Sequence, residues 1–138
     1  MVAKVIDGHA VARQVREECR VQTQALVARG VTPGLAVIIV GDDPASRVYV
    51  ANKVKACNEV GIASTVHAFP ASASDGEVAA RILSLNADPA VHGILVQLPL
   101  PGHFDGKRVL AAISRDKDVD GFHLYNVGSL VQGETLFP

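Results

Sequence analysis

The stretch Leu35–Gly41, "LAVIIVG", decides the fold class of this 138-residue chain. It is a short apolar run, rich in β-branched residues, and it ends in a glycine. Such a run predicts a strand that is covered on both faces, as the strands of parallel sheets are. We therefore expect a buried parallel sheet that contains this strand.

Helix signals stand on both sides of the strand. Before it, residues 9–30 carry an apolar stripe at helical spacing that ends at Gly30, formed by Val11, Val15, Cys19 and Leu26. After it, Asp43 is an N-cap candidate, Pro44 occupies the first helical position and Gly61 follows the last. The strand is thus expected between two helices.

The same alternation continues along the chain. "IASTVHAF" (62–69) predicts a second strand, a Ser74/Glu77 capping box opens a helix, and "HGILVQLPLP" (92–101) predicts a third strand that its prolines stop. A short helix is expected after Asn126 in an otherwise loop-rich end. Strands and helices at this spacing predict an α/β domain with three αβα layers and a mainly parallel sheet.

The composition excludes several classes of partner. The chain is 49% hydrophobic, its mean hydropathy is +0.25, its net charge is −1, and it has no run of lysine and arginine. These features argue against nucleic acid and anionic membranes as partners. Without a signal peptide or an apolar stretch of about 18 residues, we expect a soluble, cytoplasmic protein that binds small molecules.

Neither a metal nor a dinucleotide site is expected within the chain. Its five histidines have no metal-ligand spacing. Cys19 and Cys57 stand far apart, which predicts two reduced, packed thiols. The chain has no GxGxxG motif, and Gly41 is a lone turn glycine.

Lys53 stands where the pattern of its helix favours an apolar residue. On a helical wheel it falls near the middle of the apolar side, one turn after Tyr49. Its stem could pack while the ammonium stays in water. Alternatively the ammonium enters a cleft, where burial favours the neutral amine and proton transfer or a Schiff base becomes feasible.

Gln97 and Asp120 are the other candidate polar residues of such a cleft. Gln97 interrupts the third strand near its carboxyl end, and open α/β sheets bind ligands at that edge. Its side chain could accept a hydrogen bond from Lys53, or it could hydrogen-bond to loop backbone. Asp120 belongs to the acidic turn "KDVDGF" (117–122). Its carboxylate could stay solvated, cap backbone N–H groups or accept the paired N–H donors of a heterocycle.

Three segments in this order, "SRVYVANKVKACNEVGI" (46–62), "GILVQLPLP" (93–101) and "KDVDGFH" (117–123), resemble the methylenetetrahydrofolate dehydrogenase/cyclohydrolase family. The resemblance implies an enzyme of one-carbon metabolism, with an α/β folate-binding catalytic domain followed by a Rossmann domain for NADP. Such enzymes oxidise 5,10-methylenetetrahydrofolate to the methenyl cation and hydrolyse that cation to 10-formyltetrahydrofolate. Family members are commonly homodimers, an assembly that we do not carry over to this chain.

The resemblance also implies roles for individual residues. Lys53 matches the catalytic lysine and Gln97 the glutamine that hydrogen-bonds it. Tyr49 matches the tyrosine that packs against the folate, Asp120 the aspartate that holds the pterin ring, and Ser46 a small polar residue facing the same cleft. No residue of this chain matches a cofactor-binding position, and no metal is implied.

The sequence departs from the family pattern in three places. Arg115 and Leu124 stand where family members commonly have proline, which predicts changes in turn geometry. The chain also stops at "LFP" (136–138), where family members continue. We therefore expect residues 1–138 to be the catalytic domain, with the linker starting at about 122–138 and the NADP domain missing.

Other functions remain open at this stage. The domain could bind folate without turning it over, because one wall of the cleft is missing. Without the resemblance, a Schiff-base lyase or aldolase that uses Lys53 would be the next enzyme class. A self-associating structural protein is the remaining alternative.

Overall fold

A computed structural model describes residues 5–134 of the protein, so the predicted role of the "LFP" end lies outside the described residues. Five helices and three strands occupy this range. In chain order they are α1 (Gly8–Val27), β1 (Gly34–Val40), α2 (Pro44–Val60), β2 (Ala63–Phe69), α3 (Asp75–Ala87), β3 (Gly93–Val96), α4 (Gly106–Ala111) and α5 (Leu124–Gln132).

The three strands form one parallel sheet in the order β2-β1-β3. The strand predicted from "LAVIIVG" lies at the centre, and its residues Ala36–Val40 are buried. Val37 pairs with Val66 of β2 and with Leu95 of β3. The predicted α/β class and the parallel sheet are confirmed.

Helices cover both faces of β1, which gives the three layers that were predicted. On one face, the alternate residues Ala36, Ile38 and Val40 pack with the buried residues of α3 and α4: Val78, Ile82, Leu85 and Val109. On the other face, Val37 and Ile39 pack with Val50 of α2. Because side chains alternate along a strand, this one segment supplies both cores.

The helix boundaries follow from local signals. The Asp43 carboxylate caps α2 by accepting a hydrogen bond from Ser46 N at 2.7 Å, and Gly61 ends the helix in the left-handed conformation with φ 84°. The capping box at α3 is complete: Glu77 N donates to Ser74 Oγ, and Ser74 N donates to the Glu77 carboxylate. These predicted boundaries are confirmed.

Other elements differ from the sequence patterns. In α1 only Thr23 is buried, while Val11 and Val15 are each about half exposed, because α1 packs on α2 rather than on the sheet. Helix α4 was not predicted. Helix α5 begins at Leu124, before Asn126 rather than after it. None of the helices within residues 5–134 is long and apolar enough to span a membrane.

Candidate active site

The candidate site lies near the carboxyl ends of β1 and β3. From the central strand β1 the chain crosses to β2 by way of α2 on one face, and then to β3 by way of α3 on the other. Adjacent strands whose connections leave on opposite faces form a crevice at their carboxyl ends. Gln97 follows β3 at this edge, and its backbone N–H donates to Ile38 O at 2.8 Å.

Lys53 and Gln97 meet directly. The ammonium Nζ of Lys53, on α2, donates a hydrogen bond to Gln97 Oε1 at 2.9 Å, and both residues are half-buried. The amide Nε2 of Gln97 donates to Leu98 O at 2.7 Å. Because the amide nitrogen bonds to a carbonyl, the amide oxygen is oriented toward the lysine. Lys53 therefore does not simply extend into water.

The Asp120 carboxyl interacts electrostatically with the Lys53 ammonium. Partial burial raises the pKa of the Asp120 carboxyl above its usual range, the Lys53 ammonium acts in the opposite direction, and Asp118 adds to the rise. The Asp120 carboxyl makes no hydrogen bond to any residue within 5–134. Its oxygens are thus free to accept donors from a ligand.

Tyr49 and Ser46 lie on α2 in the turns that precede Lys53. The side chain of Tyr49 is exposed, with a relative exposure of 62% for the residue, so its ring is available to a planar ligand. Ser46 is only 3% exposed, and its hydroxyl has no hydrogen-bond partner among the described residues. The structure thus places Ser46 beneath the surface of the helix and Tyr49 on it.

Comparison with known proteins identifies the family. A sequence model described as "Tetrahydrofolate dehydrogenase/cyclohydrolase, catalytic domain" matches residues 6–120. The chain belongs to this family. A Nitrosospira multiformis protein named "Bifunctional protein FolD" is 59% identical over 138 residues, which are all of this chain and 48% of that protein. The chain thus spans about half the length of the curated relatives it matches.

Solved structures of the dehydrogenase/cyclohydrolase family have the same fold. The Campylobacter jejuni FolD enzyme superposes with a TM-score of 0.93 at 47% identity, over 94% of this chain and 46% of that one. The Trypanosoma brucei enzyme, described as complexed with NADP cofactor and inhibitor, gives a TM-score of 0.89 at 38% identity, over 93% and 44% of the two chains.

The N-terminus of α2 does not fit the pyrophosphate of a dinucleotide. A pyrophosphate would need free N–H groups at a helix N-terminus after a strand, and α2 is the helix that follows β1. There, Pro44 has no N–H, and the Asp43 carboxylate already accepts from Ser46 N. The neighbouring Asp42 is ion-paired with Arg47. Within residues 5–134, no three His, Cys, Asp or Glu side chains are grouped as a metal site requires.

An open groove of about 980 Å³ lies elsewhere, between α2 and the edge strand β2. Its apolar lining includes Val50, Val54, Val66 and Phe69, and none of the five predicted site residues lines it. The groove is of the size of many ligand sites, and charged and polar residues such as Arg47, Lys55 and Glu59 also line it. The groove is thus separate from the pair formed by Lys53 and Gln97.

Asp118, which was not predicted as a site residue, lies beside Asp120 in the acidic turn. Asp118 is 2% exposed, and its carboxylate bonds to the loop that carries Asp120. The signal that could have found it is the pair of aspartates just before Gly121, since an aspartate often accepts backbone N–H groups two or three residues further along. At Arg115, where proline is common in the family pattern, the guanidinium lies over the Tyr125 ring at 4.2 Å.

Proposed function

We propose that this chain is the folate-binding catalytic domain of an enzyme that converts 5,10-methylenetetrahydrofolate to 10-formyltetrahydrofolate through the 5,10-methenyl cation. The hydrogen bond between Lys53 Nζ and Gln97 Oε1 carries this proposal, together with membership of the family. NADP as the oxidant, Lys53 and Gln97 as catalytic residues, and a cytoplasmic location are parts of it.

Substrate binding uses the exposed side of α2 and the acidic turn. The Tyr49 ring offers a face against which a pterin can pack. The free carboxylate of Asp120 can accept two parallel N–H donors from the pyrimidine part of the pterin, as carboxylates do from other paired donors. The two contacts fix the plane and the rotation of the ring, which brings the one-carbon bridge toward Lys53.

Hydrolysis of the methenyl cation requires proton transfer at two points. As water adds to the bridging carbon, the neutral amine of Lys53 accepts a proton, which leaves a hydroxyl adduct. The adduct then collapses: the bond from carbon to N5 breaks, the ammonium returns its proton to N5, and the hydroxyl proton leaves to water. The sum is one water consumed and one proton released, and it leaves the formyl group on N10.

Gln97 orients the lysine without adding a charge. A neutral acceptor 2.9 Å from Nζ holds the amine in place but stabilises the ammonium less than a carboxylate would. Lys53 is thereby held where it can take a proton from the water and return it to N5.

The direct test is hydrolysis of 5,10-methenyltetrahydrofolate by the 138-residue chain, with the uncatalysed rate subtracted. We expect the chain to accelerate the reaction and Lys53→Ala to abolish the acceleration. Lys55→Ala is the matched control, because Lys55 is an exposed lysine two residues along the same helix. It should keep the wild-type rate.

The alternatives give different results. If the chain binds a folate analogue but neither it nor the variants hydrolyse the cation, the domain recognises folate without turning it over. If Lys53→Ala hydrolyses as fast as the wild type, the assignment of Lys53 is wrong. A carbonyl compound trapped on Lys53 by borohydride would instead identify a Schiff-base enzyme.

A further inference from the structure

The carboxylate of Asp118 is buried inside the chain beside the proposed pterin contact. The residue is 2% exposed, and its side chain accepts three hydrogen bonds: Oδ1 from Gly121 N at 3.1 Å, and Oδ2 from His123 N at 2.8 Å and from Asn126 Nδ2 at 2.9 Å. A buried charge of this kind is tolerated only when donors surround it. All three donors come from the segment that follows Asp120.

The segment that precedes Asp120 is attached to the sheet. The backbone N–H of Ile94, in β3, donates to Lys117 O at 2.7 Å, and Asp118 forms an isolated parallel bridge with Ile94. Gly93 permits this close approach, because a Cβ at that position would lie 2.5 Å from Val119 Cγ1. Asp118 is therefore fixed to β3 through its backbone.

The segment that follows Asp120 is held by the Asp118 carboxylate. Asn126 is 7% exposed, and its Nδ2 donates both to Asp118 and, at 3.0 Å, to Arg115 O. Asn126 lies in the first turn of α5, so Asp118 connects that helix to β3. Asp120 stands between these attachments and has no hydrogen bond of its own to the described residues.

We propose that Asp118 is a positioning residue, whose buried carboxylate sets the place of the Asp120 carboxylate and thereby the affinity of the domain for the pterin ring. The inference rests on the proposed function, because it takes Asp120 as the pterin contact. Asp118 itself does not touch the substrate. It acts by holding both sides of the turn that presents Asp120.

Asp118→Asn tests this role with almost no change in size. One amide oxygen cannot serve three donors that approach both oxygens, and the new NH₂ group would face one or more of those donors. We expect the turn to shift and the affinity for 5-formyltetrahydrofolate, a stable folate probe, to fall about tenfold in a calorimetric titration. Asn126→Ala removes only one of the donors, and we expect about a threefold loss.

The same two substitutions in an Asp120→Ala background separate positioning from general damage. If Asp118 acts through Asp120, its substitution should change the weakened affinity of the Asp120→Ala variant less than about twofold. An equal loss in both backgrounds would overturn the proposal, since the effect would then bypass Asp120. So would unchanged affinity in the wild-type background.

Folding and the proposed function have separate readouts in this experiment. Thermal unfolding identifies variants that do not fold. If Asp118→Asn does not fold, Asn126→Ala decides the question, and if neither folds, Asp118 is a folding residue and the proposal fails. If the wild-type chain itself binds no folate probe, the proposed function fails. If the wild type binds the probe but the effects of substituting Asp118 and Asp120 are independent, only the present inference is refuted.

Discussion

Gln97→Glu replaces the neutral partner of Lys53 with a charged one at nearly constant size. Coulomb's law gives about 1.4 kcal/mol for two unit charges separated by the present Nζ–Oε1 distance of 2.9 Å in bulk water, and about four times that at an effective dielectric constant of about 20. Because both residues are only half-buried, solvent screening limits the gain to about 1.5–3 kcal/mol. That range favours the ammonium over the neutral amine by about 10- to 200-fold.

The expected consequence is a slower cyclohydrolase with a changed pH profile. If water addition needs the neutral amine, hydrolysis at pH 7 should fall by about the same 10- to 200-fold, and the pH–rate profile should be displaced to higher pH relative to that of the wild type. The assay follows the loss of methenyl absorbance as a function of pH, with the uncatalysed rate subtracted at each pH. Binding of 5-formyltetrahydrofolate should change much less than the rate.

Gln97→Met is the matched control, because it removes the acceptor without adding a charge. Its rate should fall through loss of orientation, without the displacement of the pH–rate profile to higher pH that is expected of Gln97→Glu. A Gln97→Glu variant that hydrolyses as fast as the wild type at every pH would refute the reasoning, since the ammonium would then be no obstacle to turnover. A Gln97→Met variant whose pH–rate profile is displaced to higher pH as far as that of Gln97→Glu would also contradict it.

The remaining predictions concern stability and substrate binding. Ile82→Ala empties a fully buried position between α3 and the sheet and should lower the free energy of unfolding by about 2–5 kcal/mol in a urea titration, so a loss below about 1 kcal/mol would contradict the packing. Ser74→Ala removes the cap of α3 and should cost about 0.5–2 kcal/mol, whereas Ser84→Ala on the exposed side of the same helix should cost little. The pKa of Asp120 is higher in the folded state than in the unfolded state. Protonation of Asp120 therefore stabilises the fold at a pH below the unfolded-state pKa. This stability is lost as the pH rises through the folded-state pKa. Folate affinity should run the opposite way, falling as the pH drops through that raised pKa, and Asp120→Asn should remove the pH dependence if Asp120 is the pterin contact.

Most of the fold could be predicted because its signals are local. The ends of α2 depend on Asp43, Pro44 and Gly61, each of which acts on backbone groups within a few residues. The central strand was predictable because an unbroken apolar run needs cover on both faces. Helix α4 was missed because six residues are too few to show a helical period, and its Asp105 cap precedes a glycine rather than an apolar run.

The exposure of the apolar stripe on α1 could not be read from periodicity. A helical period shows which residues share a face, but not whether another element covers that face. Val11 and Val15 have the spacing of core residues, and yet each is about half exposed. The reason is that α1 contacts α2 elsewhere, near Thr23 and through the Arg16–Glu59 ion pair at 3.3 Å. The packing partner of a face is a tertiary property that a pattern in one segment does not contain.

The two aspartates of "KDVDGF" show where sequence reasoning about a site reaches its limit. Their residue type is the same and their local sequence nearly so, and either could cap backbone N–H groups or bind a ligand. The structure separates them by what surrounds their oxygens: Asp118 accepts three hydrogen bonds from its own chain, while Asp120 accepts none from the described residues and lies near Lys53. A carboxylate whose acceptor positions are filled by the chain can only hold the chain. The unfilled one beside it is the one that we propose as the pterin contact, and without the resemblance the sequence alone offered no ground for separating the two.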